Sequence, residues 1–261
     1  MNARHRKAID KLVSLHADDP NKLALVICGS LATGKARDDS DVDLYLIVTD
    51  EDFERVRNDE GCFYGSWDPA KFSGVEIDGK IVGKKFLREA AIRGSEPTRA
   101  SFQRAYAEFS HDPEIDALIE QIAEYPEAER EQKIEAFYAY TKHFRYVGER
   151  AFAPADDYFA RRCVIEIVFF AARLALAHNR VLFPCDKSLF AALEKCEELP
   201  PEFVDSSRRL LASPSLPALI AYYERVSGYF GQYDYSDQAM VSFVLENEWS
   251  WFSGLPSLAD W

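Results

Sequence analysis

The chain has 261 residues, of which 31 are lysine or arginine and 44 are aspartate or glutamate, so its formal net charge is −13. This acidic balance argues against partners such as nucleic-acid phosphates or anionic lipids. No apolar run reaches the ~20 residues that span a bilayer, so we expect no membrane helix. The basic start is followed by polar residues where an export signal would be apolar, which predicts a soluble, cytoplasmic protein. The five cysteines are odd in number and widely spaced, and we expect reduced core thiols.

Short apolar runs alternate with turns in the first third of the chain, which indicates an α/β domain. The predicted elements, in chain order, are a helix over 2–15, strands over 23–28 and 42–48, a helix over 51–59, a strand or hairpin over 74–82 and a strand over 101–109. We therefore expect a domain over residues 1–111 with about four strands, near the mean sheet size.

Long helical patterns dominate from residue 112 onward. Residues 129–152 carry apolar side chains at three- and four-residue spacing, which predicts an amphipathic helix. Residues 157–180 are apolar nearly all round, which indicates a central helix covered on several sides. The prediction is a helical bundle domain over residues 112–261.

The first unusual feature of the sequence is Gly29-Ser30 at the end of an apolar strand. Glycine allows a backbone to approach phosphate oxygens closely. A serine that begins a short helix offers its hydroxyl together with the free amides of the first turn. The pair is a candidate seat for the phosphates of a nucleotide.

The second feature is the pair Asp41 and Asp43, which opens the next strand ten residues later. Residues two apart in a strand point the same way, so the two carboxylates lie close together. A divalent cation relieves the repulsion between them, and Mg²⁺ takes carboxylate and phosphate oxygens as ligands. The spacing therefore predicts a metal-nucleotide site.

The segment over residues 23–48 resembles the nucleotidyltransferase superfamily that includes polymerase β and the aminoglycoside nucleotidyltransferases. Their signature is a hydrophobic strand, Gly-Ser, a similar spacer and Asp-x-Asp followed by apolar strand residues, and each part is present here. Thr33 departs from the arginine of many relatives. The resemblance implies an α+β fold, in which a small mixed sheet with flanking helices precedes an all-helical bundle, as in antibiotic-modifying members.

The implied activity is Mg²⁺-dependent transfer of a nucleoside monophosphate from an NTP, with ATP the expected donor, to a hydroxyl of a small acceptor, with release of pyrophosphate. Asp41 and Asp43 would bind two Mg²⁺ ions, and Gly29 and Ser30 would hold the β- and γ-phosphates. The net acidity favours a cationic acceptor such as an aminoglycoside.

The family also uses a third carboxylate on a later strand. Glu76 and Asp78 lie on one face of the strand predicted over 74–82. We favour Asp78, next to the turn-forming Gly79, as the third catalytic and metal-binding residue. The alternative is a surface carboxylate paired with Lys80.

In the helical half, "HNRVLFPCDKSLF" resembles an Asn-Arg-x-x-x-Pro-x-x-Lys segment of several antibiotic nucleotidyltransferases. The resemblance implies that Lys187 binds the triphosphate of the nucleotide. The alternative is an exposed lysine at the start of a helix. Glu166 is either a general base or, as we favour, the partner of Arg162 in an ion pair.

Other readings compete with this one. "GSLATGKA" nearly matches a phosphate-binding P-loop, but Ala36 stands where the motif needs Ser or Thr, and too few residues follow for a parallel crossover. Arg173 and His178 have the R-x4-H spacing of HEPN ribonucleases, yet such a spacing is common by chance.

Two alternative functions are a protein-directed adenylyltransferase of the antitoxin type and a non-catalytic nucleotide-binding module.

Overall fold

The computed structural model describes residues 1–59, 61–66, 71–152, 157–234 and 237–254. The chain divides into two compact units, Met1–Tyr125 and Pro126–Trp261. The first contains α1 (Ala3–His16), β1 (Lys22–Ile27), α2 (Gly29–Ala32), β2 (Val42–Val48), α3 (Asp50–Asp59), β3 (Phe63–Ser66), β4 (Ile77–Gly83), α4 (Lys84–Arg93), α5 (Glu96–Ser101), β5 (Tyr106–Ser110) and α6 (Glu114–Ala123). The second contains α7 (Arg130–Ala151), α8 (Asp157–His178), α9 (Leu189–Leu193), α10 (Phe203–Ala212), α11 (Leu216–Phe230), α12 (Asp237–Glu248), α13 (Ser250–Ser253) and three short 3₁₀ turns.

Within the described part of the first unit, five strands form one mixed sheet in the order β3-β4-β2-β1-β5. Strand β2 is antiparallel to β1 and parallel to β4, while β1–β5 and β3–β4 are antiparallel pairs. The predicted α+β fold, with a mixed sheet followed by a helical region, is confirmed.

Strand β2 is the most deeply buried part of the sheet. Leu44 and Leu46 point to the face covered by α1, whereas Tyr45 and Ile47 point to the face covered by α4 and α6. A strand buried on both faces reads as a continuous apolar run, as residues 42–48 do. This burial fixes the direction of the side chains that precede Leu44 in the strand.

The predicted strand over 101–109 is wrong in its first half. Ser95 accepts a hydrogen bond from the Thr98 amide and begins α5, which continues to Ser101. Arg104 has a φ of 60°, so the chain turns before β5 begins at Tyr106. The fifth strand, β3, was not predicted, because its four residues "FYGS" lack an apolar alternation.

Helix α6 follows the boundary predicted at residue 112, yet it packs in the core of the first unit. Its buried side chains join those of α4 on the second face of the sheet. Arg99 links these helices, because its buried guanidinium donates hydrogen bonds of 3.0 to 3.4 Å to carbonyls at the C-terminal ends of α4 and α6. The acceptors are the carbonyls of Ala91, Ile92, Gly94, Ile122 and Glu124.

Replacing Arg99 with methionine is expected to lower the free energy of unfolding by about 3 kcal/mol, because several buried carbonyls lose their donor. The matched control is Arg93→Met in α4, whose exposed pair with Glu89 contributes less than about 1 kcal/mol. Urea denaturation of both variants measures the difference. Equal stabilities of the two variants would contradict this account of Arg99.

In the second unit, α8 is buried on several sides and packs against α7, as its apolar pattern predicts. All five cysteines are free thiols, in agreement with the sequence, although only Cys28 and Cys163 are buried. Among the described helices, none combines the length and apolar character needed to cross a membrane.

Candidate active site

Three aspartates converge at the N-terminal end of the parallel strand pair β2–β4. Asp43 lies directly beside Asp78 in the register of the pair. Asp41 precedes β2 by one residue and shares the face of Asp43, since side chains alternate along a strand. One carboxylate oxygen from each of the three lies within 4.8 Å of the others. The structure thus brings together the three aspartates that the sequence singled out.

Gly29 approaches Asp43 so closely that a side chain at this position would require the Asp43 side chain to move. Its φ is +63°, and a Cβ at this position would lie 2.0 Å from Oδ2 and 2.6 Å from Cγ of Asp43. The glycine therefore lets the first turn of α2 approach the carboxylate directly. The Cys28 amide donates a 3.0 Å hydrogen bond to the Asp43 carbonyl and holds the two segments together.

Ser30, the second member of the Gly-Ser pair, carries a hydroxyl that has no hydrogen-bond partner among the described residues, although the oxygen is buried. A buried hydroxyl without a partner costs free energy, so this atom is suited to a ligand. Burial, together with the nearby Asp43 carboxylate, raises the pKa of the neighbouring Cys28 thiol and so favours its neutral form.

The donor set of the three aspartates fits a divalent cation. All the ligand atoms are carboxylate oxygens, which Mg²⁺ and Mn²⁺ prefer over nitrogen or sulfur donors. Asp41 and Asp43 are half-buried and Asp78 is exposed, so the cluster remains open to a substrate on one side. In the part of the chain that the structure describes, this is the one such group of acidic, histidine or cysteine side chains.

Glu76, the alternative third carboxylate, is exposed and does not belong to this cluster. Asp78 makes no ion pair with Lys80 within the described residues, so the reading of Asp78 as half of a surface ion pair is not supported. The register places Lys80 beside Tyr45, with its Nζ 5.5 Å from the centre of the tyrosine ring.

The P-loop alternative fails on topology. A P-loop strand is followed by a helix that returns to a parallel strand, whereas β1 and β2 are antiparallel neighbours. Helix α2, between them, has only four residues. Lys35 is exposed, and its backbone amide donates to the Ser30 carbonyl.

Four residues that the sequence analysis considered as functional candidates lie in the second unit. Lys187 is exposed on the 3₁₀ turn Asp186–Ser188, and Glu166 accepts a hydrogen bond from Arg162, the ion pair that we favoured. The guanidinium of Arg173 lies 4.5 Å and 4.4 Å from the ring centres of Phe137 and Phe183, so it makes cation–π contacts with both rings. His178 contacts Tyr233 and Glu198.

Comparison with known proteins decides the family. The profile described as Nucleotidyltransferase domain matches residues 5–136, which is half of the chain and includes all three aspartates. The chain belongs to the nucleotidyltransferase domain family. It is therefore a nucleotidyltransferase, an enzyme class that generally uses an NTP and a divalent metal.

The fold of this nucleotidyltransferase recurs in solved structures. A nucleotidyltransferase-like protein from Exiguobacterium sibiricum 255-15 superposes with a TM-score of 0.53 at 14% sequence identity. The match covers 93% of this chain and 79% of the other. At this identity the likeness concerns the fold. No curated protein matches the chain in sequence.

Lys80 is a further candidate residue of the site of this nucleotidyltransferase. The sequence suggests for it only an ion pair with Asp78. It lies two residues after Asp78, so it shares the sheet face of the aspartates. No hydrogen bond or ion pair engages its ammonium group within the described residues. The D-x-K spacing on a strand that neighbours Asp-x-Asp was the signal available in the sequence.

Replacing Lys80 with methionine is expected to tighten Mn²⁺ binding and to weaken NTP binding, each by roughly threefold to tenfold. The two effects have opposite signs because the ammonium repels the cation and attracts the polyphosphate. Mn²⁺ titration by electron paramagnetic resonance and NTP titration by calorimetry measure them. The matched control is Lys85→Met, an exposed lysine of α4. Changes of the same sign in Mn²⁺ and NTP affinity would contradict a direct electrostatic effect of the Lys80 ammonium on the two ligands.

Proposed function

We propose that the nucleotidyltransferase transfers a nucleoside monophosphate from Mg²⁺-bound ATP to a hydroxyl of a small-molecule acceptor. The observation that carries this proposal is the cluster of Asp41, Asp43 and Asp78 under Gly29 and Ser30. The three carboxylates, together with the buried Ser30 hydroxyl that has no partner within the described parts of the chain, would supply both halves of a metal-nucleotide site.

Each residue has a proposed role in the transfer. Asp41, Asp43 and Asp78 hold two Mg²⁺ ions, which when bound stabilise the charge on the entering and leaving oxygens. Gly29 and Ser30 hold the β- and γ-phosphates, so that the α-phosphorus is presented to the acceptor.

The acceptor oxygen forms the new bond to the α-phosphorus, while the bond between that phosphorus and the β-phosphate oxygen breaks and pyrophosphate leaves. Asp78, the exposed member of the cluster, takes the proton of the acceptor hydroxyl. Lys187 is proposed as a further contact of the triphosphate, on the resemblance of its segment to antibiotic nucleotidyltransferases.

The proposed acceptor is a small cationic molecule, and aminoglycosides are the first class to test. The net charge of −13 supports this choice, since an acidic protein attracts cations and repels nucleic acid. The same property makes a template-directed or tRNA-directed activity a poor fit.

Calorimetric titration with ATP, GTP, CTP and UTP, with and without Mg²⁺, tests the proposal in its first step. We expect Mg²⁺-dependent binding by the wild type, with ATP preferred, and none by the double variant Asp41→Asn, Asp43→Asn. Circular dichroism checks that the double variant is folded. A folded wild-type protein that binds no NTP would overturn the proposal.

The second step follows the label of α-³²P-ATP in the presence of an aminoglycoside panel. Label on the small molecule supports the proposed acceptor class. Label on a protein band instead identifies a protein-directed adenylyltransferase of the antitoxin type. Binding of ATP without transfer to any acceptor, in small-molecule and protein panels alike, identifies a non-catalytic nucleotide-binding module.

A further inference from the structure

The three aspartates are not equally well held by the sheet. Asp43 and Asp78 lie in β2 and β4, where the strand pairing fixes their backbones. Asp41 lies before β2, at the end of the segment over residues 33–41 that connects α2 to the strand. Its backbone is held on one side by Val42, whose amide donates a 2.9 Å hydrogen bond to the Glu76 carbonyl, and on the other side by the contacts of the connecting segment.

The first turn of α1 supplies this support through His5, which is only 1% exposed. Its Nε2 lies 2.9 Å from the carbonyl oxygen of Ser40, the residue that precedes Asp41. Its Nδ1 lies 3.4 Å from the backbone amide of Asn2. Because an amide donates and a carbonyl accepts, these two contacts require an imidazole with its proton on Nε2.

Two further contacts from the same turn reach the connecting segment. The Asn2 side-chain amide donates to Asp38 Oδ1 at 3.1 Å, and an Arg4 guanidinium nitrogen donates to the Asp38 carbonyl at 2.8 Å. The segment also closes on itself, since the Arg37 amide donates to Ser40 Oγ at 2.9 Å. The turn over residues 37–40 is thus a compact unit that α1 anchors at two carbonyls.

We propose that His5 is a positioning residue for Asp41. The hydrogen bond from its Nε2 to the Ser40 carbonyl sets where the Asp41 carboxylate stands relative to Asp43 and Asp78. Arg4 contributes in the same direction from the surface. This inference rests on the proposed function, because it assigns His5 and Arg4 to the placement of a metal-binding carboxylate.

The test compares His5→Phe, which keeps a ring but removes both nitrogen atoms, with His5→Gln, whose amide donor reaches about as far as Nε2. Mn²⁺ affinity is measured by electron paramagnetic resonance, and kcat and KM for ATP by the transfer assay. We expect His5→Phe to weaken Mn²⁺ binding about tenfold, the equivalent of one lost hydrogen bond, and to lower kcat more than it raises KM. His5→Gln should recover most of the Mn²⁺ affinity.

Ile9→Val controls for stability, because Ile9 is fully buried on the same helix and the substitution costs about 1 kcal/mol. It should leave Mn²⁺ affinity unchanged. Wild-type Mn²⁺ affinity and kcat in His5→Phe would overturn the proposal, as would an equal loss of Mn²⁺ affinity in Ile9→Val.

A second pair of variants decides the matter if His5→Phe does not fold. Arg4 is exposed, so Arg4→Met removes its hydrogen bond to Asp38 without disturbing the core. We expect a loss of Mn²⁺ affinity of about threefold, against none for Lys7→Met, an exposed lysine of the same helix. Equal affinities in the two variants would overturn the proposal.

Failure of the proposed function gives a different result. In that case the wild type itself binds no Mn²⁺, or Asp43→Asn binds it as well as the wild type does. Mn²⁺ binding that depends on Asp43 but not on His5 or Arg4 refutes the positioning role alone.

Discussion

Replacing Asp43 with asparagine is expected to lower the rate of Mg²⁺-dependent nucleotidyl transfer roughly a thousandfold or more, since metal stabilisation of the transition state contributes several kcal/mol. Asparagine keeps the size and shape of the side chain, so the close packing under Gly29 is preserved. The substitution removes a negative charge from the half-buried centre of the three-aspartate cluster. The loss therefore reports on charge and coordination rather than on packing.

The control for Asp43→Asn is Glu76→Gln. Glu76 is an exposed carboxylate on the approach to β4, on the same predicted face as Asp78 but outside the cluster. Its neutralisation should leave transfer close to the wild-type rate, whereas Asp78→Asn should behave like Asp43→Asn. Rates are measured with labelled ATP after the acceptor panel has given a substrate. A large loss in Glu76→Gln with little loss in Asp78→Asn would reverse the assignment of the third carboxylate.

The choice between Glu76 and Asp78 shows what a local sequence pattern cannot predict. Alternation along a strand places both side chains on one face, and Gly79, which favoured Asp78 as a turn residue, lies within β4, so neither feature ranks the two carboxylates. The ranking depends on the register of β4 against β2, in which Asp78 lies opposite Asp43. Register is set by burial on both faces of a long-range pair. By contrast, Asp41 and Asp43 are close in sequence, so their proximity follows from the strand period alone.

Contacts between distant segments were likewise invisible in the sequence. His5 belongs to an amphipathic helix that periodicity predicts correctly, but its hydrogen bond to Ser40 joins residues 35 positions apart. For Lys80 the sequence suggests only an ion pair with its near neighbour Asp78. The structure instead places its ammonium near the ring of Tyr45, its partner across the parallel strands.

Two local signals compete in the sequence before β5. The stretch over residues 101–109 has an imperfect alternation, and the side chain of Ser95 caps a helix that extends to Ser101. A capping serine followed by proline in the first turn is a helix signal, and it competes here with the aromatic residues that favour a strand. The chain then turns at Arg104, so the strand begins only at Tyr106.

Replacing Gly29 with alanine is expected to reduce nucleotidyl transfer roughly a hundredfold, because displacement of a catalytic group by about 1 Å has effects of this size. The new Cβ would lie 2.0 Å from Oδ2 and 2.8 Å from Cβ of Asp43, so the carboxylate must leave its position. The positive φ adds a backbone cost of about 1 to 2 kcal/mol. Activity and stability should therefore both fall.

Gly34→Ala separates these two costs. Gly34 has a φ of +73°, but nothing lies within 4 Å of the position that its Cβ would occupy. The two variants therefore share the backbone strain, and only Gly29→Ala displaces Asp43. We expect both variants to lose thermal stability, and Gly29→Ala to lose more because its Cβ also displaces Asp43, with Mn²⁺ affinity and transfer rate reduced only in Gly29→Ala. An active Gly29→Ala enzyme that binds Mn²⁺ normally would mean that Asp43 tolerates displacement, and that the close approach of α2 is not needed for metal binding.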